Sequence, residues 1–151
     1  MTLEEIEKLL PNGLHDAQIH RMTRDYESAE LALKVRILVG LPNQPSPERD
    51  RYRTADIVFR RVYFCSIELP QPESTFQHPG SVWFSYERMS PNVIPDSLAK
   101  TLPKGTQCYS LFVREWMSQM HVAAQDVGFF WSDGAQNQQQ RQTTTSPTSV
   151  V

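Results

Sequence analysis

Eight side chains stand out as candidates for catalysis, ligand binding or partner binding: His15, Asp16, His20, Asp25, Arg60, Glu115, Trp116 and His121. Imidazole and carboxylate are the usual proton carriers and metal ligands near neutral pH. His15-Asp16 is therefore the pair with the most chemistry in it. A second account of the pair is structural. A short polar side chain at a tight turn bonds nearby backbone groups and marks where one element ends and the next begins. That account takes precedence, because a perturbed catalytic group needs partners that the sequence does not place. His15 and His20 stand five residues apart, which puts them on opposite faces of a regular strand. A bulge between them would return both to one face, and His121 can join them only through a long-range contact.

Arg60-Arg61 inside an apolar run is unusual. One of the two must face inward unless a bulge intervenes, and an inward guanidinium needs a carboxylate. Glu68, Glu115 and Asp25 are the candidates, and an ion pair or an anion site both fit. Other constellations are missing. There is no His-Glu-x-x-His or paired-cysteine metal motif, no Gly-x-Ser-x-Gly elbow, and the six glycines form no phosphate loop. Neither a metal nor a cofactor is expected. Cys65 and Cys108 both sit in apolar runs and are expected to be free, buried and unreactive. Trp83, Trp116, Tyr63, Phe112 and Phe130 are expected in the core.

These residues need elements to hold them. Thr2 and Glu5 make a capping-box pattern before Leu3, Ile6, Leu9 and Leu10, which share one helical face. Pro11-Asn12-Gly13 ends that helix. Ala17 and Ile19 alternate with Gln18 and His20, whereas Met22 and Tyr26 are out of step by one. A β-bulge near His20-Arg21 restores the register. A turn over 25–29 leads into the cleanest strand, where Leu31, Leu33, Val35, Ile37 and Val39 alternate with Ala32, Lys34 and Arg36. The two strands read as a hairpin.

The stretch 40–53 is rich in proline and charge and reads as a loop. Residues 55–68 read as a long central strand, and 81–89 as a further one. The stretch 90–104 reads as a loop with a helical turn near 97–99. For 107–131 the reading is strand, turn near Met117-Ser118, strand over 120–124, turn at Gln125-Asp126, and a last strand. A helix over 113–124 is the alternative. The fold class is α+β: a short N-terminal helix packed on a mostly antiparallel, meander-like sheet of about six or seven strands. Residues 1–131 form one domain. The Gln/Thr/Ser-rich remainder, 132–151, is expected to be disordered.

The net charge of −2 and pI near 6.1 disfavour a nucleic-acid partner. The acidic N-terminus is no signal peptide. No apolar run approaches the ~20 residues that span a bilayer, so no membrane association and a cytoplasmic location are expected.

The opening Leu14-His15-Asp16-Ala17, then Ile19, then Asp25-Tyr26 before an alternating strand, resembles that of small uncharacterised bacterial domains similar to the immunity protein 50-like group. Arg114-Glu115-Trp116-Met117-Ser118-Gln119-Met120-His121-Val122-Ala123-Ala124-Gln125-Asp126 is similar to their final segment. The resemblance covers much of residues 9–131. It implies a sheet-rich α+β fold and a protein partner, and it implies no catalytic residue.

Two functions follow as expectations. The first is a non-enzymatic module that binds another protein, a toxin among the candidates, through a sheet face or the loop 40–53. The second is an enzyme or a small-ligand or metal binder that uses His15, Asp16, His20 and His121. Association of identical copies through an exposed strand edge or apolar face is a third possibility.

Overall fold

A computed structural model describes residues 1–70, 80–89 and 94–132. The expected disorder of the tail falls almost entirely outside them. Ser132 is described, and it is tied to the fold by hydrogen bonds to Thr54 and Asp56.

The chain begins with helix α1, Leu3–Leu9. Its capping box is complete: Thr2 Oγ1 accepts from Glu5 N, and Glu5 Oε2 accepts from Thr2 N. Leu3, Ile6 and Leu10 are buried as the periodicity requires, but Leu9 is 70% exposed. At seven residues the helix is too short to stand without docking.

Six strands follow among the described residues: β1 (Gln18–Asp25), β2 (Glu30–Leu38), β3 (Tyr52–Ile67), β4 (Val82–Arg88), β5 (Gln107–Val113) and β6 (Ser118–Trp131). They form two antiparallel meanders, β1-β2-β3 and β4-β5-β6. The meanders join along β3–β6 and β1–β4, so the sheet closes into a barrel in the order β1-β2-β3-β6-β5-β4. The expected α+β class, with a short helix on a six-stranded antiparallel sheet, is what the chain forms. A one-turn helix, α2 (Asp96–Ala99), sits in the loop before β5.

Alternation along the strands fills the barrel. Leu31, Leu33, Val35 and Ile37 of β2, Ile57 and Phe59 of β3, Tyr109 and Leu111 of β5, and Val122 and Val127 of β6 are all buried. Helix α1 closes one end, with Leu3 N donating to the Tyr109 hydroxyl.

Three expectations about elements are corrected. No turn interrupts β6 at Gln125-Asp126, because the ladder to β3 continues through Arg60↔Asp126 and Val62↔Ala124. The helical alternative for 113–124 is replaced by strand, turn and strand, since both neighbouring ladders need these backbone groups. Tyr63 and Phe130 lie on the surface rather than in the core, while Trp83, Trp116 and Phe112 are half-buried.

Candidate functional site

The predicted residues do not assemble. His15 Nδ1 lies 3.0 Å from Asp16 Oδ2, and the His15 side chain is 80% exposed. Neither side chain bonds the backbone. Asp16 instead contributes a left-handed backbone, φ 61°, after Gly13 at φ 60°. Asn12 does the anchoring: its side-chain amide donates to Leu38 O and Gly40 O. The pair borders a polar cleft of about 400 Å³ that also holds Glu4, Glu7, Tyr86, Arg88 and Arg114. In this cleft the Tyr86 hydroxyl donates to Glu7 Oε2 at 2.5 Å. Burial first, then the Glu7 carboxylate, pushes the tyrosine pKa far above its ordinary value.

His20 is elsewhere, with Nδ1 3.4 Å from Ser81 Oγ. His121 is elsewhere again. It alternates outward from Met120 and Val122 and lies across from Ser66 and Ser110, with its Nδ1 buried and unpartnered. Among the described residues no three His, Cys, Asp or Glu side chains are grouped to hold a metal ion.

Asp25 shapes the β1–β2 turn. It accepts from Glu27 N and Ser28 N, and hydrogen bonds from Ser28 and then Glu27 hold its carboxyl below the ordinary range. The Arg60-Arg61 conflict is resolved by a bulge. Arg61 takes φ 49°, so Arg60 faces outward and Val62 returns inward. The partners of Arg60 are Glu30 at 3.6 Å and Asp126 at 3.3 Å, not the expected Glu68, Glu115 or Asp25. Glu68 accepts instead from Gln119 N, and Glu115 from Trp83 N at 2.8 Å. Both cysteines are free, and burial pushes both thiols up. They are poor nucleophiles.

The end of the barrel opposite α1 has a different character, and sequence reasoning picked out only His20 and Trp116 of it. Three local events open it. The bulge between Ile19 and Arg21 turns β1 away after its two pairs with β4, Gln18↔Trp83 and Ile19↔Val82. Strand β2 begins only at Glu30, and its ladder with β3 reaches no further than Leu31↔Phe59. The Arg61 bulge and the irregularity between Val62 and Phe64 then bend β3. Its last residues, 63–67, pair with β6 alone among the described residues.

Two hollows result, both touched by Met22 and Ile67. One is a groove of about 390 Å³ between β1 and the end of β3, lined by Arg24, Tyr26, Leu31, Tyr63, Phe64 and Cys65. Tyr26 at its edge is 84% exposed. Arg24 is held there by Glu30 O at 2.9 Å. The other is a smaller, apolar cavity of about 140 Å³, walled by Ile19, Val82, Val113, Trp116 and Met120. The signal available in the sequence was the pair of bulges. The first lies where the β1–β4 ladder ends and the second just past the end of the β2–β3 ladder, and a barrel that loses ladders at one end opens there.

Comparison of the chain with protein-family models, with curated proteins and with solved structures returns no match. No described helix is long and apolar enough to cross a membrane.

Proposed function

We propose that this chain is a non-enzymatic module that binds another protein at the open end of its barrel. The observation that carries the reading is the end of β3. Residues 63–67 have one unpaired edge among the described residues, beside a groove framed by the exposed side chains of Tyr26, Tyr63 and Ile67. An extended segment of a partner completes such an edge through main-chain hydrogen bonds, and the groove reads its side chains. Tyrosine is favoured in this role, because it offers a large amphipathic surface at small entropic cost.

The scattering of His15, His20 and His121 weighs against the alternative of an enzyme or metal binder. The immunity-like opening supports a protein partner, a toxin by that resemblance, met in the cytoplasm. The loop 40–53, the other expected surface, is exposed over 41–50 and touches none of the three hollows described above.

Photo-crosslinking from position 63 in the producing cell tests the proposal, with position 9 at the helix-plugged end as control. A discrete adduct formed only from position 63, and abolished by Tyr26→Lys, supports it. Tyr26→Lys removes the exposed ring that frames the groove and puts a hydrated charge in its place. Equal labelling from both positions, or none, refutes it. An adduct of twice the chain mass identifies a second copy as the partner.

A further inference from the structure

We infer that the 140 Å³ cavity in the barrel mouth is a binding site for a small, uncharged aromatic molecule with one hydrogen-bonding group, such as a phenol. The size argument is direct. An apolar cavity of about 150 Å³ accommodates benzene and stays dry when empty. Ile19, Met22, Val82, Val113, Met120 and Trp116 make the wall here, and they come from four strands and one turn. The polar residues that complete the lining are Ser118, which is buried, and His20, Arg21 and Gln119, which are exposed. Two methionines in the wall give it an adaptable, polarizable surface suited to a flat ring.

The polar requirement comes from Ser118. It opens β6, faces Val113 across the ladder and shares the inward face with Met120 two residues on. Ser118 is 3% exposed and lines the cavity, and none of the side-chain hydrogen bonds between described residues involves its hydroxyl. The space next to that hydroxyl is the cavity. The hydroxyl can donate to or accept from one group on a ligand. The charged and titratable residues of the site, His20 and Arg21, are both exposed, so an ion held inside would lie among apolar walls without a buried counter-charge. Ile67, 46% exposed, forms the outer lip and leaves a way in.

The full chain carrying ¹³C-methyl methionine reports on this site directly. Of its five methionines, Met22 and Met120 line the cavity, while Met1 and Met89 do not. Titration with phenol is expected to shift Met22 and Met120 saturably and to leave Met1 and Met89 in place. Ser118→Ala should weaken phenol about fivefold, the equivalent of one neutral hydrogen bond, and leave toluene within about twofold. Ile67→Trp, at the exposed lip, should abolish both, and Met22→Trp gives an independent block. Tyr26→Lys, in the neighbouring groove, should change neither, so this site and the protein-binding reading fail separately. Absence of saturable shifts up to the solubility of phenol overturns the site. Equal losses of phenol and toluene on Ser118→Ala overturn the ligand class.

Discussion

Tyr109→Phe removes one oxygen from the middle of the molecule and should cost about twice what the exposed helix cap costs. Tyr109 is fully buried, and its ring packs at 6.2 Å from Phe59 and 6.1 Å from Tyr86. Phenylalanine keeps those contacts, so the substitution isolates the hydroxyl. That hydroxyl accepts from Leu3 N at 3.2 Å and shares its proton between Gln107 Oε1 at 2.5 Å and Glu4 Oε2 at 3.1 Å. The first turn of a helix has four N–H groups without helical partners. In α1, Thr2 satisfies Glu5 N, and Tyr109 satisfies Leu3 N. Leaving a buried donor unpaired costs about 1–3 kcal/mol, whereas Thr2→Ala removes an exposed cap worth about 1 kcal/mol. At roughly 4 °C per kcal/mol for a domain of this length, Tyr109→Phe should lower Tm by about 8 °C and Thr2→Ala by about 4 °C. Circular dichroism melts at neutral pH measure both. The double variant should lose less than the sum, because a frayed first turn no longer needs either partner. A smaller loss for Tyr109→Phe than for Thr2→Ala would mean that water reaches Leu3 N, and would refute the picture of α1 as a dry plug.

Two further predictions concern stability. Gly40→Ala places a Cβ 2.0 Å from Arg49 O and 2.3 Å from Glu48 O. Both obstacles are backbone, so the loop must shift, at a cost of about 2–3 kcal/mol in urea unfolding; unchanged stability would contradict the close approach. Glu4 sets a pH dependence. Burial pushes its carboxyl up, but hydrogen bonds from its own N–H, Arg88, Tyr109 and Thr2 prevail and hold it below its ordinary value. A lowered folded pKa gives stability that is present above the ordinary range and lost as pH falls through the folded value. Melts of Glu4→Gln should therefore fall less steeply than wild type on acidification below about pH 4, and parallel curves would rule out this contribution.

Much of the first 67 residues was legible because the forces there are local. The capping box of Thr2 and Glu5 operates within one turn. The bulge beside His20-Arg21 was visible as a one-residue slip between Ile19 and Met22, and strand β2 as strict alternation. Leu9 was misplaced because helical spacing defines a stripe and not its width; the barrel end covers only Leu3, Ile6 and Leu10. The break expected at Gln125-Asp126 followed from their polarity. It failed because both are half-buried on a strand that remains paired with β3, where Asp126 meets Arg60.

The sequence alone determined the period of β2, the bulge beside His20-Arg21, the helix cap and the freedom of both thiols, because each depends on a few consecutive residues. It also left a choice of ion-pair partners for Arg60, and the true ones, Glu30 and Asp126, lie 30 and 66 residues away. Tertiary structure decided those partners, the separation of His15, His20 and His121, and the closure of six strands into a barrel. It also decided where the barrel fails to close. Alternation states which face of a strand is apolar, but not which strand lies beside it. The open mouth exists because β1, β2 and β3 end their pairings at different heights, and only the assembled ladder sets those heights.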